Sequence, residues 1–523
     1  MASRLDPVAL AVMNSRLGAI AEEMGVVLGQ TGFSPNIKER RDYSCAVFDA
    51  RGVLVAQAAH IPIHLGSTPL SVRAAIERLD LGPGDVAALN DPFAGGTHLP
   101  DVTVVAPVFL ERARRPFAYV ANRAHHADIG GMAPGSMALA TEIYQEGFRM
   151  PPVKIAVGGV PARDVMTLFL ANTRVTEERE GDLRAQLAAL AIGRDRLIEL
   201  VKSLGGRIVA NAMDALKDYA ERMMRATLRQ IRPGVYRAHD FLDDDGFGNG
   251  PIRIQVAITI RRGRAIVDFT GSAAQVRGSV NANLAITQSA TFYVMKCIAA
   301  EAAPPNEGLM RPIRIAAPPG TVVNALPPAA VAGGNVETSQ RIVDVLFRAL
   351  AAAAPDRIPA ASSGSMSNLT IGGLDPFRAR RFSYYETIAG GAGAAPGHPG
   401  AAGIHTHMTN TLNTPIESLE AYYPIRVTEY RIRRGSGGRG RDRGGDGLIR
   451  EVECLAEANV SLLTERRKLA PWGLAGGGDG RPGSNYIVRG GRRRKLPAKT
   501  NFTAEPGDRI RVETPGGGGF GRA

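Results

Sequence analysis

The sequence NDPFAGGTHLPD, at residues 90–101, places a glycine-rich turn directly before an apolar segment. The pattern predicts a short strand over residues 102–110 and a second strand over residues 117–121. The second strand is followed by AHHADIGG at residues 124–131. Three of the nine histidines in the chain, together with three aspartates, therefore concentrate around two predicted strands.

Helices and strands are predicted in blocks on either side of this region. Apolar residues spaced three and four apart predict an amphipathic opening helix through residues 13–28, behind an Asp6-Pro7 start. Two alternating runs at residues 44–48 and 53–57 predict a hairpin. Further helices are predicted at residues 172–228, 279–302 and 338–354, with strands from residue 234 onward and after residue 424.

These blocks indicate a multi-domain α+β fold that is β-rich and has helical layers and long glycine-rich loops. A chain of 523 residues holds about two to four domains of ordinary size. Because long glycine-rich loops are uncommon in compact enzymes, we expect those after residue 424 to line a site or an interface. The predicted parts are an N-terminal α/β region (1–170), a helical region (171–232), a central α+β region (233–425) and a C-terminal β-rich region (426–523).

The composition limits the classes of protein that the chain can represent. Three isolated cysteines favour a reducing compartment over a disulfide framework, so we expect a cytoplasmic protein. No run of about 18 apolar residues indicates a membrane span, and the first residues lack the core of a signal peptide. The net charge of +13 suits acidic ligands. The arginine-rich loops have no interleaved aromatic residues, so no nucleic-acid partner is expected.

His98, Asp101 and His125 are the candidate metal ligands. Imidazole nitrogen together with carboxylate oxygen suits zinc, manganese or ferrous iron, whereas calcium prefers oxygen ligands. A tight Leu-Pro turn allows His98 and Asp101 to point at one centre. In an extended chain His125 and His126 face opposite ways, so only one is a ligand, and we assign His126 to ligand support or proton transfer. The alternative is a set of buried, hydrogen-bonded histidines without a metal.

Two other histidine pairs are candidates for contacts near the same site. His60 and His64 lie four residues apart, but Pro62 prevents a helix there, so we expect a loop. His405 and His407 face one side if their segment is a strand. They then form a second ligand pair or a substrate-holding edge, and a solvated loop is the alternative.

Two glycine motifs offer backbone donors. Glu386 precedes Gly390-Gly391-Ala392-Gly393 and is a candidate acid or base. Gly333, Gly334 and Asn335 precede a predicted helix, whose positive end suits an anion, although an ordinary glycine turn has the same sequence. The chain has no GxxxxGK[ST] phosphate loop, so we expect nucleotide hydrolysis, where the reaction needs it, on another polypeptide.

The chain contains many sequence blocks that resemble those of the hydantoinase B/oxoprolinase family. They occur in the same order and cover essentially the whole chain. Among them are IPIHLGS, NDPFAGGTHLPDVTVVAPVF, HHADIGGMAPGS, GSVNANLAITQSATFYV, VAGGNVETSQRIVDV and HTHMTNTLNTPIE. The resemblance implies a B-type subunit of an ATP-dependent cyclic amide hydrolase that opens hydantoin, N-methylhydantoin or 5-oxoproline. It also implies a hetero-oligomer with a hydantoinase A-type subunit, which uses ATP and magnesium to phosphorylate the amide.

Subunits of acetone and acetophenone carboxylases look similar as well. A carboxylase subunit is therefore one alternative, and a non-catalytic scaffold for the A-type subunit is another. Carried over by motif, the manganese ligands of the acetone carboxylase relatives fall on His98, Asp101 and His125. The resemblance thus implies a divalent manganese, zinc or iron ion that activates water or polarises the lactam carbonyl.

The remaining roles are predicted from the ligand cluster together with this resemblance. Asp128 or His126 orients the ligands or moves protons. Arg40, Arg41 and the Gly333-Gly334-Asn335 turn hold a carboxylate or phosphoryl group of the small lactam substrate.

Overall fold

The computed structural model describes residues 6–58 and 60–523 and has the predicted α+β architecture. The helices are α1 (Pro7–Thr31), α2 (Pro35–Lys38), α3 (Thr68–Arg78), α4 (Arg163–Ala171), α5 (Thr176–Leu204), α6 (Gly206–Gln230), α7 (Leu284–Ile298), α8 (Ser339–Ala351) and α9 (Ile416–Tyr422). The first ten strands are β1 (Tyr43–Asp49), β2 (Leu54–Gln57), β3 (Val86–Leu89), β4 (Asp101–Val108), β5 (Ala118–His125), β6 (Val153–Val157), β7 (Val160–Pro161), β8 (Gly234–Leu242), β9 (Ile252–Arg261) and β10 (Arg264–Asp268). The other ten are β11 (Ile313–Ala316), β12 (Asn368–Asp375), β13 (Arg380–Thr387), β14 (Ile425–Arg433), β15 (Gly447–Cys454), β16 (Ala458–Leu463), β17 (Ser484–Arg489), β18 (Arg492–Leu496), β19 (Lys499–Ala504) and β20 (Arg509–Glu513).

The first sheet is antiparallel and has the strand order β2-β1-β5-β4-β3-β6-β7. Its two faces pack against different helices, because successive side chains along each strand point to opposite faces. Residues 118, 120 and 124 of β5 pack in one core with α1 and α5, whereas residues 119 and 121 pack with α3. The predicted opening helix, the hairpin of β1 and β2, and the strands β4 and β5 are all confirmed.

The predicted helical region at residues 172–228 consists of two long helices. α5 and α6 meet at Gly205, which has a φ of +89° and has open space around its Cβ position. A positive φ is costly for residues with a side chain, so glycine lets the chain change direction there. The two helices pack with α1 against the first sheet and cover the face opposite α3.

The second sheet has the order β11-β10-β9-β8, and only β10 and β11 are parallel. Alternate residues of β9 pack against α7 and α8, which confirm the helices predicted at residues 279–302 and 338–354. A π-helical turn at Gly334–Thr338 leads into α8. This turn lies close to the candidate site.

The third and fourth sheets share one core. Their orders are β13-β12-β16-β19 and β14-β15-β20-β17-β18. The third sheet combines strands from before and after residue 425, so neighbours in this sheet are distant in the sequence. The region boundaries expected at residues 170, 232 and 425 stay a prediction.

The glycine-rich segments pack backbone against backbone. A Cβ at Gly391 would lie 2.0 Å from Gly445 O, and one at Gly445 would lie 1.9 Å from Ala401 O. Gly517 donates from its N–H to Gly445 O at 2.9 Å, and Gly438 donates to Gly517 O at 2.8 Å. Glycine is required because the main chains approach too closely for any side chain. The expectation that the loops after residue 424 line a site or an interface stays a prediction.

No helix within residues 6–58 and 60–523 combines the length and the apolar character needed to cross a membrane. The longest helix, α5, is charged along one side and buries the other against the first sheet.

Candidate metal centre

The candidate metal ligands meet at one end of the first sheet. Asp101 begins β4 and His125 ends β5, and the two residues are directly opposite each other across the strands. Because residues 119 and 121 of β5 face α3, the alternation places the His125 side chain on that face as well. His98 lies in the turn before β4, and its ring centre is 5.1 Å from that of His125.

Two buried asparagines fix the turn that contains His98. Asn90 donates from Nδ2 to two backbone carbonyls at 2.8 and 3.0 Å. Asn283, the residue before α7, donates to the carbonyls of residues 92, 96 and 97 at 2.8 to 3.0 Å. A Cβ at Gly96 would lie 2.6 Å from Asn90 O, so the close packing requires glycine. The turn is therefore a rigid support for His98.

One carboxylate oxygen lies between two imidazoles. Oδ1 of Asp101 is 3.0 Å from Nε2 of His98 and 3.2 Å from Nδ1 of His125. Oδ2 accepts a hydrogen bond from the Thr97 hydroxyl at 2.7 Å and lies 3.4 Å from Nε2 of His64. One ligand atom from each of His98, Asp101 and His125 lies within 4.8 Å of the other two. The structure therefore brings together all three residues that the sequence predicted.

The cluster is almost completely removed from water. The exposed fractions are 0% for His98, 1% for Asp101, 3% for His125 and 2% for His64. Burial alone would raise the pKa of Asp101, but the neighbouring imidazoles outweigh it and hold that pKa well below its ordinary value. Burial lowers the pKa of His125, which favours the neutral ring that binds metals.

The donor set fits a divalent transition metal. Among the described residues, both ring nitrogens of His98 and Nε2 of His125 and of His64 are buried without a hydrogen-bond partner. Two of these nitrogens, Nε2 of His98 and of His64, face Asp101 oxygens at 3.0 and 3.4 Å, but Nδ1 of His98 and Nε2 of His125 have no hydrogen-bond partner among the described residues. Because buried polar atoms are normally paired, the cluster has donor capacity for a further ligand. Nitrogen and carboxylate donors suit manganese, zinc or iron. His64, which the sequence placed only near this site, lies directly against Asp101.

Tyr385 supports His125 from the third sheet. The two rings stack with their centres 4.7 Å apart, and the tyrosine hydroxyl donates to Oδ1 of Asn368 at 2.9 Å. The buried Arg40 guanidinium lies 4.8 Å from the Tyr385 ring centre and donates to its backbone carbonyl at 2.9 Å. Arg40, predicted to contact substrate, is therefore in position to hold Tyr385. The Arg41 side chain is exposed.

A small cavity adjoins the cluster. Its volume is about 20 Å³, which is room for one water molecule. Asp101, His125 and His64 line it together with Asn335 and Asp42, and Oδ1 of Asn335 has no hydrogen-bond partner among the described residues. Asp42 was not among the residues predicted from the sequence. Its only signal was an acidic residue directly after two arginines.

His126 and Asp128 have partners away from the cluster. Nε2 of His126 is hydrogen bonded with Oε1 of Gln186 on α5 at 3.0 Å, and burial lowers the pKa of His126 to about 4. His125 and His126 thus face opposite sides, as the sequence predicted. Asp128 accepts hydrogen bonds from the backbone of residues 130, 135 and 174 and pairs with Arg174 at 2.9 Å.

Glu386 lies in a buried ion pair. Its two carboxylate oxygens accept hydrogen bonds from Nε and Nη2 of Arg450, each at 3.1 Å. Tyr384 donates a third hydrogen bond at 2.9 Å. The carboxylate is therefore held by fixed partners.

His405 lies in irregular backbone and His407 in a turn, so the strand considered for this segment is wrong. His407 has a φ of +59°, which an extended strand does not allow. Burial lowers the pKa of both histidines to about 4. His407 contacts Tyr293 and Phe347, so the two histidines do not form a common edge.

The backbone before α8 binds a carboxyl group of the same chain. The N–H groups of Val331 and Ala332 both donate to Oε1 of Glu146 at 2.9 Å. The N–H of Gly334 donates to Ser279 O at 2.8 Å, and that of Asn335 donates to Val331 O at 3.1 Å. The N–H groups of Gly334 and Asn335 therefore have partners within the protein.

The family model for hydantoinase B/oxoprolinase matches residues 6–523. The chain belongs to the hydantoinase B/oxoprolinase family. The chain is 38% identical to 5-oxoprolinase 1 of Arabidopsis thaliana, over 99% of its own length and 42% of the plant protein. It is 33% identical to a Pseudomonas protein named as the B component of a D-/L-hydantoinase, over 99% of its own length and 90% of that protein. The family member described here thus spans about two fifths of the plant oxoprolinase and nearly all of the hydantoinase component.

Two solved structures have the same fold. The ATP-dependent caprolactamase from Pseudomonas jessenii superposes with a TM-score of 0.92 at 32% identity, over 99% of this chain and 92% of that one. Nucleotide-free acetone carboxylase superposes with a TM-score of 0.91 at 20% identity, over 99% of this chain and 76% of that one. The second likeness is one of fold alone.

Proposed function

We propose that this family member is the B-type subunit of an ATP-dependent cyclic amide hydrolase and works with a hydantoinase A-type subunit. The relatives named for 5-oxoproline, hydantoin and caprolactam share a cyclic amide as their substrate. The chain has no phosphate loop in its sequence, so ATP and magnesium are assigned to the partner. The small lactam reaches this subunit for ring opening.

The observation that supports a catalytic role best is the buried cluster of His98, Asp101 and His125. We propose that these residues hold a divalent manganese, zinc or iron ion. Such an ion lowers the pKa of a bound water from about 15.7 toward about 7, or polarises a carbonyl. His64 lies against Asp101 and is placed to orient it or to take up a proton.

The other predicted site residues act around this cluster. Arg40 positions Tyr385 and, through it, His125. Asn335 of the Gly333-Gly334-Asn335 turn presents a side-chain oxygen to the small cavity. We assign positioning roles to the more distant candidates, because they are buried away from the metal ligands and most of them have fixed partners. These candidates are His126, Asp128, Glu386, His405 and His407.

The test replaces one proposed metal ligand by alanine and compares that variant with one in which a histidine outside the cluster is replaced. His98→Ala and His239→Ala are each purified with the A-type subunit, His239 being an exposed residue of β8. We expect His98→Ala to lose its bound metal and to lower ATP-dependent ring opening by more than about 100-fold, whereas His239→Ala keeps both. Unchanged metal content and ring opening in His98→Ala would contradict the proposal.

Two further measurements separate the alternative functions. The fold likeness to acetone carboxylase is the observation that favours a carboxylase subunit. Bicarbonate-dependent product formation from a ketone, without ring opening of a lactam, would establish that alternative. Full ring opening after chelation of the metal would instead indicate a scaffold for the A-type subunit.

A further inference from the structure

A second and much larger cavity, here called the vestibule, lies beside the metal-side cavity. Its volume is about 690 Å³, and its wall includes Glu22, Lys38, Arg41, Tyr43, His60 and Ile61. Ile61 lines both cavities, and Asp42 on the metal side is flanked by two vestibule residues. A small-molecule ring needs a pocket of hundreds of cubic ångströms, so of these two adjoining cavities the vestibule is the one with room for a ring.

Two cations of the vestibule are available to a ligand. The side chains of Lys38 and Arg41 are exposed. Within residues 6–58 and 60–523, neither is in an ion pair of 4.0 Å or less. Arg40 and Arg123 are instead buried against fixed partners. Cations placed in a concave site attract anionic groups more strongly than cations on an open surface.

The turn at residues 40–43 directs neighbouring arginines to opposite sides. Arg41 has a φ of +54°, which is unfavourable for a residue with a side chain. Hydrogen bonds from Asp42 N to Asn36 O and from Tyr43 N to Arg41 O, both 2.9 Å, fix this conformation. Arg40 therefore points inward to Tyr385 and Arg41 points into the vestibule. Strained backbone of this kind is concentrated at functional sites.

Two glycines of α1 create the space for one wall. A Cβ at Gly25 would lie 2.4 Å from Cε1 of His60, and one at Gly29 would lie 2.6 Å from the hydroxyl of Tyr43. Glycine weakens the interior of a helix, so these positions are unfavourable for α1 itself. They allow the His60 and Tyr43 side chains to lie against the helix backbone.

These side chains supply hydrogen-bonding groups next to the cations. Nδ1 of His60 accepts a hydrogen bond from Cys45 N at 3.2 Å, and burial lowers the pKa of His60 to about 4. The neutral ring therefore has its proton on Nε2, which is 3.9 Å from Oε2 of Glu22. Burial raises the pKa of Tyr43 to about 12, so its hydroxyl stays protonated. The vestibule thus places the His60 and Tyr43 donors beside two cations and one carboxylate.

We propose that the vestibule is an anion site in which Arg41 and Lys38 bind a carboxylate or phosphoryl group of the substrate. The inference rests on the proposed function and makes these two residues determinants of specificity for anionic over neutral cyclic amides. Two sources of the anion share this chemistry. One is a carboxylate of the lactam itself, and the other is the phosphoryl group added by the ATP-using partner.

Direct binding tests the site without the reaction. The full chain is titrated by calorimetry with 5-oxoproline, with inorganic phosphate and with uncharged 2-pyrrolidone. Arg41→Gln and Lys38→Gln are compared with Arg16→Gln, which removes one exposed positive charge from α1 outside the vestibule. We expect Arg41→Gln to weaken anion binding about tenfold and Lys38→Gln several-fold, with Arg16→Gln unchanged.

The pattern of loss identifies the source of the anion. A loss for 5-oxoproline supports a carboxylate, a loss for phosphate supports a phosphoryl group, and either outcome supports the site. No measurable anion binding to the unaltered chain overturns the inference, as do equal losses in Arg16→Gln or unchanged binding in Arg41→Gln. An equal loss of 2-pyrrolidone binding overturns the specificity for anions.

Kinetics with the A-type subunit separate this inference from the proposed function. We expect Arg41→Gln to raise the KM for an anionic lactam about tenfold and to leave kcat and metal content unchanged. If His98→Ala retains ring opening while Arg41→Gln loses anion binding, the metal-centre proposal fails and the vestibule stands. If His98→Ala is inactive while Arg41→Gln binds anions normally, the vestibule inference fails alone.

Discussion

Replacing Glu146 by glutamine is expected to stabilise the protein at neutral and alkaline pH. The side chain is fully buried, and Oε1 accepts hydrogen bonds from Val331 N and Ala332 N at 2.9 Å. Oε2 has no hydrogen-bond partner among the described residues. Burial outweighs the two hydrogen bonds and raises the pKa of Glu146 to about 8. The carboxyl group is therefore protonated in the folded protein at pH 7 and ionised in the unfolded chain.

The magnitude follows from the linkage between protonation and folding. Between the ordinary pKa of 4.5 and the folded value of about 8, the folded protein binds more protons than the unfolded chain. Stability therefore falls as the pH rises through this window. Each pH unit corresponds to about 1.4 kcal/mol, so this group lowers the free energy of unfolding by roughly 3 kcal/mol between pH 4.5 and pH 7. Glutamine retains an oxygen acceptor and does not ionise.

The assay compares thermal unfolding midpoints of the unaltered protein and Glu146→Gln from pH 5 to pH 8 at constant ionic strength. We expect the two midpoints to be similar at pH 5 and the variant to become progressively more stable toward pH 8. Glu111→Gln is the control, because that side chain is 89% exposed. We expect the difference in unfolding midpoint between this control and the unaltered protein to be independent of pH. The reasoning would be refuted if the difference in unfolding midpoint between Glu146→Gln and the unaltered protein were independent of pH. A higher midpoint for the unaltered protein at pH 8 would refute it as well.

Two further predictions concern glycine packing and the Glu386 ion pair. Gly445→Ala should lower the free energy of unfolding by about 3 kcal/mol or more, because its Cβ would lie 1.9 Å from Ala401 O. Gly18→Ala, in open space on α1, should raise it by up to about 1 kcal/mol, and urea unfolding of both variants checks the contrast. Glu386→Gln should cost about 3 to 5 kcal/mol, because Arg450 would keep a buried charge without its partner. Normal stability with lost ring opening would instead indicate an acid–base role for Glu386.

Local patterns in the sequence predicted the elements that position the cluster of His98, Asp101 and His125. The three-and-four spacing of apolar residues in α1 and the alternation in β1 and β2 depend on neighbours along the chain. The same alternation correctly separated His125 from His126. The turn before β4 also had a local signal, because its glycines and prolines restrict the backbone.

The surroundings of the cluster had no comparable local signal. Tyr385 reaches His125 across the boundary between the first and third sheets, and Glu146 reaches the turn before α8 from a distant loop. A sequence pattern contains the candidates for such contacts but does not say which of them meet. The backbone N–H groups near Gly334 looked available to a ligand for this reason, although the protein itself uses them.

The position of the cluster links its chemistry to the packing of the whole chain. Its ligands come from the first sheet and the turn before β4, but Tyr385 from β13 and Asn335 from the turn before α8 close the small cavity. A fragment that ends after α6 would retain His98, Asp101 and His125 without these covering residues. Water would then reach the three side chains and weaken the electrostatic interactions that hold the pKa of Asp101 low. The third sheet and the α8 turn are therefore required to keep these three side chains away from water.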